Sequence, residues 1–118
     1  MRRDWFDIRL PSGTGEYSGF RDSIELCVSE GFFDRLCGIF RCRGAPLLLK
    51  QCSAVHSFGL AKPIFIVFLD SDLVVLCSPR LLRPWSIARF RGAAHVLELN
   101  GFSEFAPGDR LKLRSSDI

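Results

Sequence analysis

Cys52 and His56 stand four residues apart, and a thiol beside an imidazole is the pairing from which a nucleophile and its base are made. On a helix the two side chains would share a face; on an extended chain, at about 3.3 Å per residue, they stand about 13 Å apart, beyond hydrogen-bond reach. Gly59 and Pro63 follow closely and argue for turns and extended backbone. Cysteine–histidine catalysis is therefore the lesser alternative, and the expected role of Cys52 is inert packing. His56 on its own suits a polar contact at a cleft, or a half-buried position holding its loop through backbone hydrogen bonds.

The stretch 52–62 concentrates unusual residues and is the expected binding site. His56 would supply a polar contact, Phe58 a surface for stacking and Lys62 a charge for an acidic partner group. Ser57, with Gly59, would shape the backbone. Arg83 and Trp85, from a later connection, are expected on the same face. The partner implied is an acidic ligand or an acidic protein surface.

"RLLRPWSIARFR", residues 80–91, interleaves arginines with Trp85 and Phe90. With Arg41 and Arg43 it could hold phosphates and stack bases. Scattered surface arginines beside a core-plugging tryptophan are the commoner arrangement, and nucleic acid is the disfavoured partner. His95 and Glu98 are three apart and point to opposite faces of an alternating strand, so they share no ligand. Glu98 is expected to pair with Arg89 or Arg91.

Five cysteines are an odd number, and free buried thiols are the expectation. Cys37 and Cys42 form one close hook with no second hook beyond, so no metal and no cofactor is expected. Residues 35–97 carry nine bases against two acids, between mildly acidic ends, within a net charge of +3. The longest apolar run, 63–69, ends at Asp70, far short of the 18 or more residues a membrane helix needs. Asp4 and Asp7 interrupt the start where a signal core would lie, so a soluble cytoplasmic chain is expected.

The elements that must position these residues read as strands. Phe6, Ile8 and Leu10 alternate with charges, and Ile24, Leu26 and Val28 alternate with Glu25 and Cys27. Residues 11–19 hold three glycines, two serines and a proline and read as a loop. Ser29 is an N-cap candidate for a short helix near residues 30–38, with Phe33, Leu36, Cys37 and Phe40 on one face. Residues 47–49 form a brief strand, and 63–69 are apolar on both faces, the mark of a central strand. A turn at 70–72 should return residues 73–76 as its partner strand. A polar connection follows over 78–84, then a strand over 94–99 and a last one at "RLKLR". The fold class expected is mainly β: a single-domain antiparallel sandwich or partly closed barrel with one short helix. Residues 23–114 form the domain, 1–22 an N-terminal extension with one strand and a loop, and 115–118 a tail.

Four segments, "FFDRLCGIF", "CSAVHSFGLAKPIFIVFLD", "LRPWSIARFRGAAHVLEL" and "APGDRLKL", stand in an order that resembles the domain of unknown function 192. The resemblance spans residues 24–113 and implies a small, mainly β domain of bacteria and archaea with no established activity. Members of that family come with export signals or beside pilus and secretion genes. The family's aspartate after Pro-Ile is replaced by Phe65, and the stretch 99–107 is shorter than usual. The function expected is a small non-catalytic binding or interaction module.

Overall fold

A computed structural model describes residues 2–11, 19–29, 46–58, 60–99, 101 and 104–114 of the 118. Among the described residues nine strands follow one another: β1 (Arg2–Leu10), β2 (Gly19–Ser29), β3 (Leu47–Lys50), β4 (Ala54–His56), β5 (Ile64–Leu69), β6 (Arg80–Leu82), β7 (Ile87–Arg89), β8 (His95–Leu99) and β9 (Arg110–Leu113). Seven form one sheet in the order β6-β5-β8-β3-β2-β1-β9, and β4 pairs with β7 in a second, two-stranded sheet. Every named pairing is antiparallel except β2 with β3. The architecture is mainly β, as the alternating patterns require. The helix expected over 30–38 lies outside the described residues.

The central strands of the large sheet, β3, β5 and β8, are buried on both faces. On one, Phe6, Ile8, Leu26, Val28, Leu48, Val67, Leu69, Leu97 and Leu111 form a continuous core with Phe105 and Val75. On the other, Ile64, Ile66, Phe68, Val96, Leu47 and Leu49 pack against Val55 and Ala88 of the small sheet. β5 explains the division: in IFIVFL every second side chain goes to the opposite core, so both sets must be apolar. Phe65, standing where the resembled family has its aspartate, packs against the first core.

β1 lies inside the sheet, between β2 and β9, so the strand at the start of the chain is built into the fold. The sheet is not closed into a barrel, and its end strands are β6 and β9. Residues 73–76 were expected as a strand and make only two isolated bridges, Leu69 to Val75 and Val74 to Arg110. The cause is local: Asp70 Oδ1 accepts from the amides of Asp72 (2.8 Å) and Val74 (3.0 Å), curling the chain, and Leu73 takes a left-handed φ of 63° that interrupts an extended run. Those bridges still tie β9 back to the end of β5.

Two stretches assigned to connections contain strands. Residues 54–56, inside the expected loop 52–62, are β4, and residues 80–82, inside the expected connection 78–84, are β6. Cys52 and Cys77 are free thiols, whereas Cys27 is disulfide-bonded, which corrects the expectation of free thiols throughout. Among the described residues no helix is long and apolar enough to cross a membrane.

Candidate binding ledge on the small sheet

The small sheet alternates strictly. Val55 and Ala88 face inward and are buried; Ala54, His56, Ile87 and Arg89 face outward and are exposed. Phe68 of β5 stacks on Phe90, just past β7, with centroids 5.4 Å apart, which anchors this layer to the core. The register sets Ala54 opposite Arg89 and His56 opposite Ile87. One step further along both strands come Phe58 and Trp85, whose rings stack with centroids 5.9 Å apart. His56 in turn stacks on Phe58 at 4.8 Å. Three outward rows therefore form a ledge of rings and aliphatic surface with an arginine at one end.

Ser57 fixes this end of the ribbon. Its side chain is fully buried, and its Oγ donates to the main-chain oxygen of Arg83 and accepts from Ser86 N at 3.0 Å. Its amide donates to Ser86 O (2.9 Å), and its carbonyl accepts from Trp85 N (3.1 Å) and Leu60 N (3.2 Å). All polar atoms of this one residue are engaged in holding residues 83–86 beside residues 57–60. Only a small hydroxyl side chain fits: it satisfies a buried donor and a buried acceptor at once without adding volume.

Trp85 is 70 % exposed, Ile87 65 % and Phe58 45 %. Trp85 also holds a left-handed backbone with φ of 59°, an outlier for a bulky residue. That conformation costs about 1–2 kcal/mol, while one aromatic pair at a surface returns about 0.5–1.5 kcal/mol. The two roughly cancel, so stability does not account for a tryptophan here. Strain of this sort concentrates at sites of recognition.

Of the residues expected at the site, His56, Ser57, Phe58, Trp85 and the backbone of Arg83 are brought together. The Arg83 side chain is exposed, and among the described residues it has no ion pair. Lys62 is exposed at the bend before β5 and likewise has no ion pair among the described residues. Ile87 and Arg89 were missed by sequence reasoning, although "PWSIARF" read with a period of two would have placed them beside Trp85.

Cys52 and His56 are not brought together as a catalytic pair. The Cys52 thiol donates to Ala54 O at 2.8 Å, and His56 Nδ1 accepts from Phe58 N at 3.2 Å. Among the described residues, no cluster of three or more histidine, cysteine or acidic groups occurs. Arg41, Arg43 and the Cys37–Cys42 hook lie outside the described residues.

Two titratable groups are buried elsewhere. His95 Nδ1 accepts from Gln51 N at 2.9 Å; burial first, and then the Lys50 charge, hold its pKa below the usual histidine value. Glu98 lies in the row between Leu47 and Ile66, on the face that carries the small sheet. Its expected ion pair with Arg89 or Arg91 is absent among the described residues, because both arginines sit in the exposed layer. Burial pushes its carboxyl up to about 7.

No family model matches the chain, and no curated protein matches it significantly. Two crystal structures share its fold. One is of a protein from Sinorhizobium meliloti 1021 provisionally named a transcription regulator, 21% identical, with a TM-score of 0.65 over 96% of each chain. The other is of a protein of unknown function from Novosphingobium aromaticivorans DSM 12444, 15% identical, with a TM-score of 0.60, covering 90% of this chain and 83% of that one. At these identities the likeness extends to the fold alone.

Proposed function

We propose that this chain is a non-catalytic binding module whose working surface is the ledge of His56, Phe58, Trp85 and Ile87, and whose partner carries an apolar or ring-bearing group beside acidic ones. The observation that carries this reading is the Phe58–Trp85 stack: two large exposed rings, one on a strained backbone. Tryptophan and arginine dominate interface energetics because they bury large areas and pair with planar groups. Arg89 on the ledge, Arg83 beside Trp85 and Lys62 nearby in sequence supply positive charge, and the outward rows 54–58 and 85–89 contain no carboxylate. Membership of the domain of unknown function 192, and with it a bacterial origin, belongs to the same proposal and rests on the motifs quoted above.

The test uses Trp85 as its own reporter. In a Trp5→Phe background, Trp85 is the sole tryptophan. Titration with the capped peptide Glu-Val-Asp-Phe-Glu-Ile should shift its emission saturably, and more weakly as salt is raised. An emission unmoved by this peptide and by an oligothymidylate would contradict the reading.

A further inference from the structure

We infer that the partner is an extended acidic segment of a protein, which adds to the free edge of β6 as an eighth strand and runs on across the ledge at Trp85; this rests on the binding-module reading above.

The two ends of the large sheet differ. At β9 the outer edge is already engaged: Val74 bridges Arg110, Leu111 N donates to Leu73 O at 3.0 Å, and Arg110 Nε donates to Asp72 O at 3.2 Å. Among the described residues β6 pairs only with β5, and none of them pairs with its opposite edge. An open edge offers a row of main-chain donors and acceptors, and natural folds pair, cover or guard such rows. β6 is three residues long, carries the exposed Leu81, and leads through Arg83 and Pro84 directly into Trp85. Edge and ledge are therefore consecutive along the chain, and six residues in extended conformation reach about 20 Å.

The side chains on β6 define the occupant. Leu81 lies opposite Phe65 on one face of the sheet, while Arg80 lies opposite Ile66 on the other. Both are exposed. A strand laid beside them presents alternate side chains to the same two faces, so the segment that fits alternates apolar with acidic residues. Main-chain hydrogen bonds give such complexes their affinity and the alternate side chains their specificity. Among the described residues, four of the six exposed large hydrophobic side chains, Phe58, Leu81, Trp85 and Ile87, lie on β6 or on the ledge. Single-stranded nucleic acid could stack on the rings, but it has no strand-like main chain for β6 and gives Leu81 and Ile87 no role.

The experiment compares Glu-Val-Asp-Phe-Glu-Ile with two forms N-methylated at positions 1, 3 and 5 or at 2, 4 and 6, and with a form carrying lysine for every acid. All are titrated against the full-length Trp5→Phe chain, with oligothymidylate of twelve nucleotides as a fifth probe. In an added strand only alternate amides face β6. One methylated form should therefore lose at least tenfold in affinity while the other stays within about threefold, and the lysine form should fall at least tenfold. Arg80→Glu should weaken the parent peptide severalfold. Equal behaviour of the two methylated forms, with binding that still depends on Trp85, would overturn strand addition and leave the ledge standing. Tighter binding of oligothymidylate than of the peptide would do the same. Failure of every probe to bind would overturn both.

Discussion

The Ser57 hydroxyl donates to the main-chain oxygen of Arg83, 26 residues along the chain, and Ser57 Oγ in turn accepts from the amide of Ser86. A buried serine thus joins β4 to the turn that carries Trp85. Replacing it with alanine leaves one donor and one acceptor unsatisfied where water has little access, at a cost of about 1–3 kcal/mol. Ser57→Ala should lower the urea midpoint accordingly and broaden the amide signals of residues 83–86. A midpoint unchanged within error would mean that this bond does not hold the ledge.

Cys52 is half-buried, and its thiol donates to Ala54 O rather than to an imidazole. Cys52→Ser should leave peptide binding within twofold of the parent. The rate at which a thiol reagent labels Cys52, read on the Cys52-containing peptide by mass spectrometry, should be the same with and without His56→Ala. A rate that falls when His56 is removed would restore the cysteine–histidine enzyme.

Glu98 makes folding depend on pH in a direction opposite to that of most carboxylates. Its folded pKa of about 7 lies above the ordinary 4.5, so between these values the folded chain holds more protons than the unfolded one. Stability from this group is complete below about 4.5, falls as pH rises towards 7, and is level above, a loss on the order of 3 kcal/mol in all. His95 works in the other sense: its folded pKa is depressed, so stability is lost as pH drops below 6.5. Glu98→Gln should remove the first effect alone. Urea unfolding from pH 5 to 8 should show the variant gaining on the parent as pH rises; a constant difference would contradict this.

The legible part of the fold is what long patterns encode. β5 announces itself because residues 64–69 are apolar on both faces, and β1, β2 and β9 alternate over enough residues to show their period. β4, β6 and β7 are three residues each, shorter than two periods of alternation, and two of them hide beside prolines in stretches that read as connections. At the ledge, His56, Phe58 and Trp85 drew attention by type. Ile87 and Arg89 needed the register, because only pairing to Ala54 and His56 shows which way they face. The ion pair expected for Glu98 failed for a related reason: spacing along the chain says nothing about Arg89 and Arg91 lying in the outer layer.

The central claim is that Trp85 is held for binding rather than for packing, and Trp85→Gly tests it most directly. Glycine adopts a φ of 59° without strain, which offsets the lost stack on Phe58. In the Trp5→Phe background, stability is measured by urea unfolding and affinity for Glu-Val-Asp-Phe-Glu-Ile by calorimetry on the same preparation. The account predicts an unfolding free energy within about 1 kcal/mol of the parent together with at least a tenfold loss of affinity. Retained affinity, or a loss of stability large enough to mark Trp85 as part of the core, would contradict it.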